Sequence, residues 1–207
     1  MGTFSILAIS KDGKLMGVAV ASGSTAVGSR VPHAAPNVGV VATQAYTNVT
    51  YGTEGLRLLA SGLPPEQALQ RLLAEDPHRE MRQVAIMDFA GRKAVFTGAE
   101  VPKERGEIAG KNYIVTGNLL KSVRVLESMA DYFEKTCGNF VLRLLEALKA
   151  GNESGGDKRG VKSAAITVVD KAKILISLRI DENPSPIQEL DMAVEAFKGG
   201  GKKLGII

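Results

Sequence analysis

Residues 3–52 constrain the fold more than any other stretch. TFSILAIS opens the chain as a short β-rich segment, Asp12-Gly13 gives a hairpin turn signal, and Leu15 to Ser22 returns as a run of small and apolar residues. Continuous runs of this kind suit strands covered on both faces. A hairpin so registered sets Thr3 against Ser22, because the first residue of one strand faces the last of the other. Two hydroxyl residues are therefore expected at one open end of a buried sheet. Val38 to Ala45 reads as a third strand, again small and apolar. Gln44 interrupts it with a full amide, which must be paired or face a cavity if buried. Between these strands lies GSTAVGSRVPHAAPN, residues 23–37, a loop long enough to be functional, carrying Arg30 and His33.

The rest of the chain alternates hairpins with helix pairs. Asn48 and Tyr51 sit in a polar loop leaving the third strand. Thr53 is expected to cap a first helix that ends at Gly62, and Pro64-Pro65 opens a second. Residues 83–88 and 93–97 form a second hairpin, preceded by Arg82. A charged loop, 99–111, leads to a strand at 112–116 that Gly117-Asn118 ends. Helices follow at about 122–135 and at 140–150, the latter capped by Asn139. The glycine-rich loop 151–160, GNESGGDKRG, precedes a strand and lacks the GK[ST] ending of a phosphate loop. Asp157 and Arg159 within it are read as pairing with each other or with solvent. A last hairpin (163–169, 174–180) and a helix after Pro186 complete the order βββ-αα-βββ-αα-ββ-α. Two largely antiparallel sheets stacked face to face, with helix pairs outside, bury all of these strands. The expected fold is therefore α+β, a four-layer α-β-β-α sandwich built as one domain over residues 1–207.

Composition narrows the function classes. The chain has 207 residues, 44% hydrophobic and 23% charged, with net charge +4. A domain of that length buries roughly 70% of its unfolded surface. No dense basic run with interleaved aromatics speaks for nucleic acid. The C-terminal cluster of Lys198 and Lys202-Lys203 is read as a solvated end. Cys137 is the only cysteine, and with two histidines it makes a poor metal inventory, so no metal and no cofactor are expected. No signal-like segment and no apolar run of about 20 residues is present, which reads as a cytoplasmic protein with no membrane partner.

Several segments together carry a resemblance: TFSILA, GVAVAS, AVGSRVP, GVVATQAYTN, YGTEGLRLLASG, RQVAIMD, VFTG, the Gly117-Asn118 pair, GGDKRG and SAAI. In this order, over about residues 3–180, they resemble the bacterial and archaeal family called domain of unknown function 1028. That family is grouped with the N-terminal nucleophile (Ntn) hydrolases, whose fold is the α-β-β-α sandwich. The resemblance implies amide cleavage by an N-terminal Thr, Ser or Cys whose own α-amine is the base. The α-amine suits that work, since its pKa of about 7.7–8.0 lies near ambient pH. Thr3 is the matching residue. Gly2 precedes it, and a Gly–Thr bond is the type cut autocatalytically in proteasome-like members. The expected catalytic set is Thr3, Ser22 and Asn118, with Asn118 or backbone N–H groups holding the oxyanion. The expected substrate-binding set is Arg30, Gln44, Asn48, Tyr51 and Arg82, around a small amide or peptide-like substrate. Arg30 and Arg82 are expected at the rim of an open, hydrated cleft, where they would favour a carboxylate. The alternative is a non-catalytic small-molecule-binding protein on the same scaffold. A weaker third reading is an assembly protein that acts as a homo-oligomer.

Overall fold

The computed structural model describes residues 2–200. Met1 and the Lys202-Lys203 pair lie outside the described residues. The strands are β1 (Thr3–Ile9), β2 (Met16–Ser22), β3 (Pro32–Ala35), β4 (Gly39–Ala45), β5 (Arg82–Asp88), β6 (Lys93–Thr97), β7 (Gly106–Ala109), β8 (Tyr113–Asn118), β9 (Ser163–Val169) and β10 (Ile174–Ile180). The helices are α1 (Thr50–Ala60), α2 (Pro65–Ala74), α3 (Arg124–Lys135), α4 (Phe140–Glu153) and α5 (Pro186–Gly200).

One sheet has six strands, in the order β10-β9-β2-β1-β8-β7, and the other has four, in the order β3-β4-β5-β6. All pairings are antiparallel. Helices α3, α4 and α5 pack on the outer face of the six-stranded sheet, and α1 and α2 on the outer face of the four-stranded one. Strands β1, β2 and β8 face β4 and β5 across the middle. The layers are therefore α-β-β-α, as the pattern of hairpins and helix pairs predicts.

Alternation along each strand sorts its side chains between layers. In β1, Phe4, Ile6 and Ala8 face the helices with Met129, Phe133 and Leu144, while Leu7 and Ile9 point between the sheets. The inter-sheet layer adds Val18 and Val20 of β2, Val40 and Ala42 of β4, Ala85 and Met87 of β5, and Ile114 of β8. Each such fully buried branched or aromatic side chain contributes about 1.5–3 kcal/mol. A third cluster lies under α1 and α2, around Val41, Leu58, Leu69, Leu72 and Ile86.

Three local expectations are corrected. The segment 23–37 is not one loop: it holds a short 3-10 turn (Val27–Ser29) and the edge strand β3, paired with β4. The charged segment 99–111 likewise contains β7, an edge strand half open to solvent. Helix α1 begins at Thr50, not after Thr53, because the Asn48 side chain accepts from the Thr50 backbone N–H at 3.2 Å and from its hydroxyl at 2.7 Å. Strand β4 does not extend the sheet of β1 and β2. The 3-10 turn and β3 carry the chain across to the second sheet, so consecutive strands here end up stacked, not side by side.

Candidate functional site

The inter-sheet layer is apolar along most of its length and polar at one end. On β1, Leu7 and Ile9 give way to Ser5 and Thr3; on β2, Val18 and Val20 give way to Ser22. By the same alternation Thr116 and Asn118 succeed Ile114 on β8, Ser163 precedes Ala165 on β9, Gln44 succeeds Ala42 on β4, and Gln83 precedes Ala85 on β5. All of these polar residues are buried. Polar groups gathered this way must be mutually bonded or serve a ligand.

The outermost row is set by register. Thr3 pairs with Ser22 on one side and with Asn118 on the other, and Ser22 pairs in turn with Ser163. Thr3, Ser22 and Asn118 are thus neighbours across three adjacent strands. Asn118 comes from the same sheet as Thr3; the facing sheet supplies Gln44 and Gln83 instead. Thr3 Oγ1 donates to the Gly2 carbonyl at 2.6 Å and lies 3.2 Å from Ser22 Oγ. Ser22 Oγ donates to the same carbonyl at 2.6 Å, and Arg159 Nη2 donates to it at 3.1 Å. Three donors therefore converge on the carbonyl carbon's oxygen next to the Thr3 hydroxyl.

The expected open cleft is closed with Gly2 in place. Thr3 is 3% exposed, Ser22 1% and Asn118 0%. The closure is made by the 151–160 loop. Asp157, paired with Arg159 at 2.8 Å, accepts from the Gly23 backbone N–H at 2.7 Å. An isolated bridge between Leu120 and Asp157 fastens the loop to the end of β8. Asp157 and Arg159 do pair with each other, but they also cover the Thr3 end of the sheet. The sequence reading left both outside the site. Their proximity to Gly2 depends on a contact across 155 or more residues, which no local pattern signals.

Behind the outer row, a directional network runs through the sandwich. Gln83 Nε2 lies 3.1 Å from the Gly106 carbonyl and 3.0 Å from the Gly117 carbonyl, and 2.9 Å from Thr97 Oγ1. Carbonyls only accept, so these two orient the Gln83 amide. Its Oε1 then accepts from Gln44 Nε2 at 2.7 Å and from Asn118 Nδ2 at 3.0 Å. Gln44 Oε1 in turn accepts from Ser5 at 2.9 Å, and Gln44 Nε2 also donates to Thr116 at 3.1 Å. Gln44 is therefore fully engaged inside the core and offers nothing to a ligand. Asn118 is turned by the same logic: its Nδ2 gives one N–H to Gln83, and its Oδ1 is buried without a partner. One of the two N–H groups on which the expected oxyanion role depends is therefore committed to Gln83. Gln83 escaped the sequence reading, although the rule applied to Gln44 (a full amide inside an apolar strand) fits it equally. Residues in left-handed conformation follow Gln44 and Asn118: Ala45 at φ 66° and Leu119 at φ 50°. Such backbone costs of order 1 kcal/mol or more and concentrates at functional sites.

The remaining expected residues have partners of their own. Arg30 donates through Nη2 to the Thr25 carbonyl within its own segment at 2.6 Å, not to the Thr3 row. Asn48 is engaged with Thr50 at the start of α1, as described. Arg82 and Tyr51 face the helix layer of the four-stranded sheet, because position 82 alternates with the inward Gln83. Arg82 Nε pairs with Asp76 at 2.8 Å, Nη1 donates to the Tyr46 carbonyl at 2.6 Å, and the guanidinium lies over the Tyr46 ring at 5.6 Å. Tyr51 donates its hydroxyl to Asp76 at 2.9 Å. The hydrogen bond from Arg82 holds the Asp76 carboxyl well below the usual range, and burial followed by the Asp76 bond pushes the Tyr51 phenol up. This is a buried structural ion pair tying the 46–49 loop to the end of α2. Truncating one partner strands the other's charge, so Arg82→Ala is expected to cost about 3 kcal/mol in urea denaturation, and a cost below about 1 kcal/mol would contradict this assignment.

Among the described residues, no cluster of three His, Cys, Asp or Glu is placed to hold a metal ion, and no helix is long and apolar enough to cross a membrane.

The geometry can be set beside known proteins. No curated protein matches the chain. The crystal structure of protein SPO2555 from Silicibacter pomeroyi superposes with a TM-score of 0.91 at 35% identity, over 97% of this chain and 88% of that one. Anbu (ancestral beta-subunit) from Yersinia bercovieri aligns over 98% of this chain and 99% of that one, but at 9% identity and a TM-score of 0.44, a likeness too slight to establish a shared fold. Residues 3–190 match the model of the family of unknown function DUF1028, and with that span matched the chain belongs to this family.

Proposed function

We propose that the protein is an amidohydrolase of the N-terminal nucleophile type, with Thr3 as nucleophile, acting on a small amide or peptide-like substrate. The observation that carries this reading is the Gly2 carbonyl oxygen, which accepts three hydrogen bonds. A carbonyl that accepts from Ser22, Arg159 and the Thr3 hydroxyl at once is polarised for attack by that hydroxyl. In the first event, Thr3 Oγ adds to the Gly2 carbonyl carbon and its proton passes to the Thr3 nitrogen as the C–N bond breaks. The product is an ester between Gly2 and Thr3 Oγ and a free α-amine on Thr3. Water then hydrolyses the ester, releasing the Gly2 carboxyl and regenerating the hydroxyl.

With the amine free, the same groups serve an external substrate. The α-amine takes the Thr3 Oγ proton, Oγ attacks the substrate carbonyl, and the resulting oxyanion meets Ser22 and Arg159. The α-ammonium returns its proton to the leaving amine as the C–N bond breaks, and water completes the cycle with the α-amine as base. Arg159, not Arg30 or Arg82, is the cation beside Thr3, and it would also favour a substrate carboxylate.

Intact-mass measurement of the protein from its native host tests this. A chain beginning at Thr3 is the expected result. A chain that retains Gly2 while turning over an amide substrate would exclude the free-amine mechanism. One observation favours a second reading, a binding protein on this scaffold: Thr3 is sealed with Gly2 in place. Retention of Gly2 with ligand-dependent thermal shifts and no turnover would select it.

A further inference from the structure

We infer that Asp157 is a positioning residue for cleavage of the Gly2–Thr3 bond: it fixes the guanidinium of Arg159 on the carbonyl under attack. The inference rests on the reading of Thr3 as nucleophile and adds the residue on which the cationic donor depends.

The Gly2 oxygen accepts from Thr3, Ser22 and Arg159. The Thr3 hydroxyl is consumed as it attacks, so Ser22 and Arg159 are left to stabilise the charge that builds on that oxygen. Ser22 has a short side chain, buried on a central strand. Arg159 has a long side chain, 38% exposed, on a loop. Holding such a side chain in one rotamer costs conformational entropy, so something must offset it.

Asp157 does so. Arg159 presents Nε and Nη2 as a rigid fork, and the carboxylate takes both: Oδ1 accepts from Nε at 3.0 Å and Oδ2 from Nη2 at 2.8 Å. The second N–H of Nη2 is then left for the Gly2 oxygen, 3.1 Å away. The contact of Nη1 with Ser24 Oγ, at 3.4 Å, is too long to hold the group by itself.

Asp157 is in turn immobile. Its side chain is fully buried. Oδ2 also accepts from the Gly23 backbone N–H at 2.7 Å, and Oδ1 from the Arg159 backbone N–H at 3.0 Å. The carboxylate lies against two bare α-carbons: a Cβ on Gly2 would fall 2.7 Å from Asp157 Cγ, and one on Gly23 2.8 Å from it. The backbone is tied to the end of β8 by the bridge to Leu120 and by the bond from Lys158 N–H to the Leu119 carbonyl at 3.0 Å.

Asp157→Asn keeps the size and breaks the fork. Each carboxylate oxygen accepts two N–H groups, one of them from the guanidinium, so an amide nitrogen at either place opposes Nε or Nη2. The full chain is synthesised in a cell-free system and cleavage before Thr3 is timed by intact mass, with thermal melts to confirm folding. Arg159→Met is expected to slow cleavage by about 100-fold or more, as loss of an oxyanion donor does. Asp157→Asn is expected to slow it by at least about tenfold, through misplacement of that donor. The deciding measurement is the double variant, whose rate should lie within about twofold of Arg159→Met alone, because Asp157 acts through Arg159. Asp157→Asn at the unaltered rate overturns the inference and leaves Thr3 as nucleophile. So does a slowing that multiplies with that of Arg159→Met, which would make the role of Asp157 merely structural. An unaltered chain that is never cut before Thr3 overturns both readings. Should Asp157→Asn fail to fold, Gly2→Ala replaces it, pressing a Cβ on the carboxylate from the end of the chain. A slowing that vanishes in the Arg159→Met background supports the inference; an unaltered rate, or a slowing that multiplies, overturns it.

Discussion

Replacing Thr3 with alanine is expected to leave the Gly2–Thr3 bond intact and to lower amide hydrolysis by at least about a thousandfold. The size follows from the chemistry. The hydroxyl is the only group at the position that would become bonded to the acyl carbon, and no neighbouring donor replaces a covalent step. Ser22 lies 3.2 Å from it but belongs to the next strand and is committed to the Gly2 carbonyl. The fold should survive: the Gly2 carbonyl keeps Ser22 and Arg159, and the lost hydrogen bond costs about 1 kcal/mol. Thr3→Ser keeps the oxygen and should retain processing. Intact mass and para-nitroanilide kinetics on the three proteins check this. A Thr3→Ala protein that is still cut before residue 3, or that hydrolyses amides at the unaltered rate, removes Thr3 from the mechanism.

Gln83→Leu is expected to be the most destabilising single change in the inter-sheet layer. The side chain is completely buried and bonded to Gln44, Thr97, Asn118 and the carbonyls of Gly106 and Gly117. Leucine fills the space but bonds none of them. Each stranded group costs about 1–3 kcal/mol, and partial relaxation brings the expected total to about 4–6 kcal/mol. For a chain of this size that is a fall in Tm of roughly 10–20 °C. The effect should be coupled: adding Gln44→Leu to Gln83→Leu should cost less than the two separately, because they share a bond. Urea denaturation of the single and double variants measures this. A Gln83→Leu cost below about 1 kcal/mol would mean the network does not hold the Asn118 amide.

Much of the architecture is legible in short-range pattern. The hairpin of β1 and β2 follows from Asp12-Gly13 between two small-apolar runs, and it carries Thr3 to Ser22 without knowledge of anything distant. The helix pairs follow from apolar spacing and from Pro64-Pro65 and Asn139, whose side chain does accept from Leu142 N–H at 3.2 Å. The four layers follow from strands that are apolar on both faces. The edge strands β3 and β7 were not legible. Each has four residues and is half exposed, so neither alternation nor an apolar run marks it.

By itself the amino-acid sequence determined the longer strands and the helices, the Thr3–Ser22 pairing and the presence of amides inside apolar strands, because these depend on local periodicity, on one tight turn or on side-chain chemistry alone. Tertiary structure decided the rest of the site. It set Asn118 beside Thr3 on one sheet and Gln44 across from it, through pairings more than 70 residues apart in the chain. It turned Arg82 to the far face of its sheet, where Asp76 holds it. It brought Asp157 and Arg159 over Gly2 by closing a loop from the other end of the chain. The Asn118 amide shows why no local rule could replace this. Which of its two ends bonds Gln83 is dictated by the carbonyls of Gly106 and Gly117, and only the assembled sheets bring those atoms within hydrogen-bond reach.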